Sequence, residues 1–267
     1  MVWAFLAGFV AVLIGVFLLR PRVARLFNND FQGIKTEAIV GPIVALTVFL
    51  SAFVVAQATG SYQRASQDAN AEASSVALLY ENAGLLPDDR GTEIQASSVC
   101  YARSVERLEW PKLEQDQTSP ATDFWAASFD REIPKVLDGP GAVVGQIVGL
   151  NRAQTEARLL RLHEAKPNLP LLAIIVMIGS ILFALVMVST FAVLDMKRSV
   201  LLSLGFALAF LLGGTLVLVD QLEKPFTGIV KVKPTVIHDV AQDTAAKFRI
   251  AHPGVALPCD ASGRPLH

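Results

Sequence analysis

Ala38-Ile39-Val40-Gly41-Pro42-Ile43-Val44-Ala45-Leu46-Thr47-Val48-Phe49-Leu50-Ser51-Ala52-Phe53-Val54-Val55-Ala56-Gln57-Ala58 runs for 21 residues without an acid, a base or a histidine. At 1.5 Å per residue a helix of this length crosses a hydrocarbon core of about 30 Å. Three further uncharged apolar runs, Val2–Leu19, Leu169–Leu194 and Val200–Val219, have spanning length. The first is followed directly by Arg20, Arg22 and Arg25, and has neither a basic segment before it nor an Ala-x-Ala cleavage site, so it reads as a retained anchor. With 52% hydrophobic residues and a mean hydropathy of +0.47, the 267-residue chain is more apolar than a soluble domain of its size. The expected fold is all-α: a multi-pass cell-membrane protein of four transmembrane helices, with a helical extramembrane domain inserted between the second and third.

That expectation divides the chain into four parts. Residues 1–58 form a first transmembrane hairpin and 59–168 the extramembrane domain. Residues 169–219 form a second hairpin, and 220–267 a tail that packs on the domain. Within the domain, Ser61 to Ala83 lacks Pro and Gly and continues the second span as helix. Pro87-Asp88-Asp89 followed by Glu93 marks a helix start, because carboxylates are favoured beside free backbone N–H groups. That helix is expected to break at Pro111, with the polar stretch around Ser119 exposed. Further helices are expected over Ala121–Val136 and Val143–Ala165, the latter carrying Val148, Leu159, Leu160 and Leu162 among polar residues. Gly228–Lys233 alternates like a short strand or extended segment, and Pro234–Phe248 reads as a last amphipathic helix.

Charge is unevenly distributed. Thr59–Asn168 holds 16 acids against 11 bases, whereas Arg20–Glu37 holds four bases and two acids. The two short loops, Arg20–Glu37 and Asp195–Ser199, contain Arg20, Arg22, Arg25, Lys35, Lys197 and Arg198. Short basic loops stay cytoplasmic, so the large domain is expected on the opposite side. There Cys100 and Cys259 would meet an oxidising compartment; they either form a disulfide or remain two thiols that never meet.

Several functions lack the residues they need. The spans carry no Asp, Glu, Lys, Arg or His, the groups that build proton relays, coupling-ion sites and voltage sensors. No CxxC pair or phosphate-cradling GxxxxGKS occurs. His238-Asp239 near Asp243 lacks an activated nucleophile and reads as helix surface. The expectation is no enzyme, no catalytic or metal-binding residue, no cofactor and no nucleic-acid partner.

Two stretches are more specific. Phe53-Val54-Val55-Ala56-Gln57-Ala58-Thr59-Gly60-Ser61-Tyr62-Gln63-Arg64 resembles the end of the second helix in bacterial bestrophins, where an apolar run passes into Ser-Tyr-x-Arg. Val219-Asp220-Gln221-Leu222-Glu223-Lys224-Pro225-Phe226-Thr227-Gly228 resembles the acidic Pro-Phe-Gly segment after the last bestrophin helix. Together with Leu108-Glu109-Trp110-Pro111, these stretches are similar to the "bestrophin-like domain" membrane proteins of bacteria and plants. The motif residues are Ser61, Tyr62, Arg64, Glu223, Pro225 and Phe226.

The resemblance implies a homo-oligomer, a pentamer, that conducts small anions passively through a pore lined by the second span. Thr47, Val48, Ser51, Ala52, Val55 and Ala56 are the lining residues it suggests, and the lipid bilayer, further copies of the chain and small anions are its implied partners. The chain departs from bestrophins in having small residues at the neck, Ala65-Ser66 in place of Trp-Trp, and no run of acids after Phe226 that would clasp calcium. Bestrophins also keep the large domain in the cytoplasm, opposite to the orientation read from the basic loops. The competing reading is a non-conducting scaffold or accessory subunit with an acidic docking domain.

Overall fold

The computed structural model describes residues 36–87, 89–115, 117–166, 169–191 and 198–266. The expected first span, Val2–Leu19, and most of both basic loops lie outside them. Regular structure among the described residues is helical, apart from a single antiparallel bridge between Cys259 and Pro265. The helices are α1 (Thr36–Ala83), α2 (Arg90–Ser104), α3 (Trp110–Leu113), α4 (Pro120–Glu132), α5 (Gly141–Glu164), α6 (Leu171–Phe191), α7 (Arg198–Leu222) and α8 (Thr235–Ala251). A π-helical turn, Val105–Glu109, joins α2 to α3, and a 3₁₀ turn, Ile133–Val136, extends α4.

Among the described residues, two helices are long and apolar enough to cross a membrane, over Val40–Ala83 and Leu171–Val188, and Phe210–Leu222 is a shorter apolar stretch. The chain forms two compact units: residues 1–60 with 168–223, and residues 61–167 with 224–267. The helix α1 begins in the first unit and continues into the second without interruption.

In the first unit, α6 and α7 pack on each other, and Met177, Ile181, Ala184, Leu185 and Val188 form the buried stripe of α6. Their spacing of four, three, one and three follows the helical period. Leu171, Leu172, Ile175, Phe183, Phe206 and Phe210 are exposed, which suits a surface solvated by lipid.

The second unit has a continuous apolar core running from Ala65, Ala73, Val76 and Leu79 of α1 through Ile94, Tyr101, Phe129 and Ile147 to Phe226 and Ile237. A disulfide joins Cys100 of α2 to Cys259 beyond α8, with Cα atoms 5.8 Å apart. Trp125 Nε1 donates to the Gly263 carbonyl at 2.6 Å, fixing the same terminal segment. Gly263 has φ +84°, and a Cβ there would lie 2.3 Å from Ser104 N. Only glycine fits that turn.

Three local expectations need correction. Pro111 does not end the helical path: it occupies the first turn of α3, which follows the π turn directly, with Trp110 N donating to the Val105 carbonyl. Ser119 is buried, at 2% exposure, as the residue preceding α4, and its carbonyl accepts from Asp123 N. Gly228–Lys233 forms no strand; Gly228 turns at φ 79°, and Val232 N donates back to the Pro225 carbonyl at 2.7 Å. The buried face of α5 combines Val144, Ile147 and Ala157 with a charged residue. Leu159 is 62% exposed and Val148 and Leu160 are exposed with it, while Arg161 is 0% exposed. Glu72 and Glu109 balance its charge through Nε and Nη2, so it can face inward although Nη1 is buried without a hydrogen-bond partner.

Candidate functional site

Within the first unit, Thr47, Ser51, Val54 and Ala58 form the buried stripe of α1. The Thr47 hydroxyl oxygen lies 2.9 Å from the Ile43 carbonyl oxygen and 3.2 Å from that of Ser180 on α6. Thr47, at 2% exposure, is therefore part of a helix–helix contact. Ser51 sits one turn further on the same stripe.

The opposite side of this stretch divides into two flanks, because successive residues turn by 100°. Gly41, Ala45, Val48, Ala52 and Ala56 form a flank of small side chains, all exposed, with Val48 at 51%. Leu46, Phe49 and Phe53 form a bulky flank, also exposed. Val55 is half-buried at the border between the small flank and the packed stripe. The six lining residues suggested by the sequence thus fall on two faces. Val48, Ala52 and Ala56 share the open small flank, whereas Thr47 and Ser51 are committed to packing. The alternation Thr47, Ser51, Val54, Ala58, Ser61, Ala65 at steps of four and three was the available signal for the packed stripe.

The motif after this span is tied down in the second unit. Ser61 Oγ donates to Glu164 Oε2 at 2.5 Å, and Arg64 Nε donates to Glu164 Oε1 at 2.8 Å. Both bind the last residue of α5, while Tyr62 packs half-buried against the core. Asp68, one turn on, has its pKa raised by burial and by the nearby Glu164, against the pull of Arg64.

Deeper in the unit lies an ion network absent from the sequence reading. Arg161 Nε pairs with Glu72 Oε2, and its Nη2 donates to Glu72 Oε1 at 3.1 Å and to Glu109 Oε1 at 2.5 Å. Arg158 Nη2 donates to Glu109 Oε2 and to Asp123 Oδ1, each at 2.6 Å. Tyr101 O–H completes the shell on Glu72 Oε1 at 2.5 Å. Burial opposes the charge on Glu109, but Arg161 and Arg158 outweigh it and hold its pKa below the ordinary 4.5. Burial, and then Glu72, push the Tyr101 phenol well above its usual value.

The Arg161 guanidinium carbon lies 5.4 Å from the Trp110 ring centroid, and Trp110 meets Phe226 edge to face. Phe226 of the second motif therefore caps the stack that shields the network. Glu223 N continues the helical bonding to Val219 O, and Pro225 supplies the carbonyl that closes the following turn. Arg158 and Arg161, three residues apart on α5, were the visible signal for the network, but their partners Glu72 and Glu109 come from distant parts of the chain. Among the described residues no cluster of three His, Cys, Asp or Glu side chains is placed to hold a metal ion.

The profile of the Bestrophin-like domain matches residues 6–237. None of the curated proteins matches the chain. Solved structures of a bacterial bestrophin homologue from Klebsiella pneumoniae are similar in fold. One superposes with a TM-score of 0.70 at 10% identity, covering 93% of this chain and 100% of that one. Point variants of the same homologue give TM-scores of 0.71 at 12% identity, covering 91% and 97% of the two chains, and 0.70 at 11%, covering 89% and 98%.

Proposed function

Because the chain belongs to the bestrophin-like family, we propose that it is a homo-oligomeric, pentameric membrane channel conducting small anions passively along its second span. The observation that carries this reading is the open flank of α1. Gly41, Ala45, Val48, Ala52 and Ala56 are small, uncharged and uncovered within the protomer. Small side chains let copies of one helix approach a common axis, and the absence of acids and bases leaves no fixed charge to set a barrier. Leu46, Phe49 and Phe53 then face lipid or a neighbouring copy. Thr47 and Ser51 keep α1 in register with its packing partners, and Val55 borders the conduction path.

Self-association has a second support. Val148, Leu159 and Leu160 are exposed on α5 of the second unit, an arrangement that favours covering by another copy. The proposed division is a hairpin over 1–58, an extramembrane domain over 59–168, a second hairpin over 169–219 and a tail over 220–267. The domain and tail are proposed to face the extracytoplasmic side of the cell membrane: the basic short loops favour it, and the Cys100–Cys259 bridge suits an oxidising compartment. The chemistry in this reading is conduction, without catalysis or a cofactor.

Electron-microscope images of the purified particle, viewed down the membrane normal, test the assembly. Five-fold symmetry is expected. A monomer or a two-fold dimer would remove the axis around which the pore is argued.

A further inference from the structure

The second unit contains an open cavity of about 300 Å³ between the end of α2, the π turn and α8. Three arginines line it: Arg103 of α2, Arg107 of the π turn and Arg249 of α8. Gln242 and the small side chains of Ala241, Ala245 and Ala261 complete the lining. Glu106 is the single acid in the lining, and its Oε1 is already shared, at 2.8 Å each, by Arg107 Nε and His238 Nδ1. The neighbouring carboxylates make their hydrogen bonds elsewhere, although Asp260 attracts Arg103 at longer range. Asp243 pairs with Lys247 at 2.8 Å, and Asp260 Oδ1 accepts from Ser262 and from Arg264 N within its own turn.

Among the described residues, Arg249 forms no ion pair, and Arg103 makes only a 3.4 Å contact to the Asp260 carbonyl. The lining therefore carries three cations against one anion. The π turn is part of this arrangement. It brings Glu106 to His238 of α8, while Glu109, three residues on, enters the buried network. Wider turns of this kind recur at functional sites.

We infer that this cavity binds a phosphate-bearing anion, clamped by Arg103, Arg107 and Arg249. Guanidinium groups present flat forks of donors that match phosphate oxygens in pairs, which lysines would not. Burial, and then repulsion from Arg249, outweigh the attraction of Asp260 and Glu106 and lower the pKa of Arg103. A dianionic phosphate relieves that repulsion and supplies acceptors to donors now facing open space. The cavity has room for more than the phosphate group, so either a free phosphate compound or a lipid headgroup can supply it.

The full chain, purified in neutral detergent, is assayed in two arms. One measures saturable binding of radiolabelled inorganic phosphate, and the other counts phosphatidic acid molecules retained in native mass spectrometry. Binding in the first arm assigns a soluble phosphate, and retention in the second assigns a headgroup. In either, Arg103→Gln/Arg249→Gln should weaken binding by at least about tenfold, since two charge-assisted contacts are lost. Arg249→Glu, a change at an exposed position that spares the core, should abolish it, and Arg152→Gln on exposed α5 surface should leave it unchanged. No binding in either arm, or equal binding by wild type and Arg249→Glu, would overturn the assignment.

Discussion

Trp110 and Phe226 meet at 86°, with ring centroids 5.4 Å apart, although they come from the two separate chain segments that make up the second unit. Trp110 in turn covers the Arg161 guanidinium. Phe226 is thus the outer seal of a buried ion network. Phe226→Ala should destabilise the protein by about 3–5 kcal/mol, the range for opening a cavity at a buried aromatic. Phe226→Leu should recover most of that loss. Thermal unfolding followed by tryptophan fluorescence checks both variants, and equal stability of the Ala variant and wild type would contradict the sealing role.

The network also sets an acid limit. The Glu109 pKa lies below its ordinary 4.5 in the folded chain because Arg161 and Arg158 outweigh burial. A carboxylate with a depressed folded pKa contributes stability that is present above its unfolded value and lost as pH falls through the folded one. Wild type should therefore hold its stability at neutral pH and lose it below about pH 4. Glu109→Gln should cost about 3–5 kcal/mol at pH 7, because Arg161 and Arg158 lose a buried counter-charge. Its stability should also fall less steeply in acid. Denaturation midpoints measured from pH 7 to pH 3 test this, and parallel curves for the two proteins would contradict it.

The side of the membrane is open to direct chemistry. Thr118 is exposed beside the buried Ser119, so a cysteine at Thr118 should react with an impermeant thiol reagent in intact cells. Unreduced peptide mapping of the same cells should recover Cys100 joined to Cys259. Labelling only after permeabilisation, together with two freely alkylated native cysteines, would place the second unit in the cytoplasm instead.

Much of the helical plan was legible in the sequence, because it is written in local patterns. The uncharged run from Ala38 and the Pro-free stretch to Ala83 give one continuous helix, and Asp138-Gly139-Pro140 separates α4 from α5. What stayed hidden depends on distant partners. Thr47 and Val48 are adjacent and equally compatible with a membrane helix, yet Thr47 reaches Ser180 and Val48 is open. Arg161 sits beside Leu159, Leu160 and Leu162, and its burial is explained only by Glu72, 89 residues away, and Glu109, 52 residues away. The cysteines could be paired or free by sequence alone, since spacing over 159 residues carries no geometry.

The central claim is that the small flank of α1 meets the permeating ion. Ala52 lies on that flank, between Val48 and Ala56, one turn away on either side. The decisive measurement is anion flux in proteoliposomes containing wild type or Ala52→Glu, with oligomer size checked on a gel-filtration column. A ring of carboxylates at this position should suppress anion flux or shift selectivity towards cations while the oligomer remains intact. Wild type that passes no ion under any ionic condition, or an Ala52→Glu variant that assembles and conducts unchanged, would contradict the account.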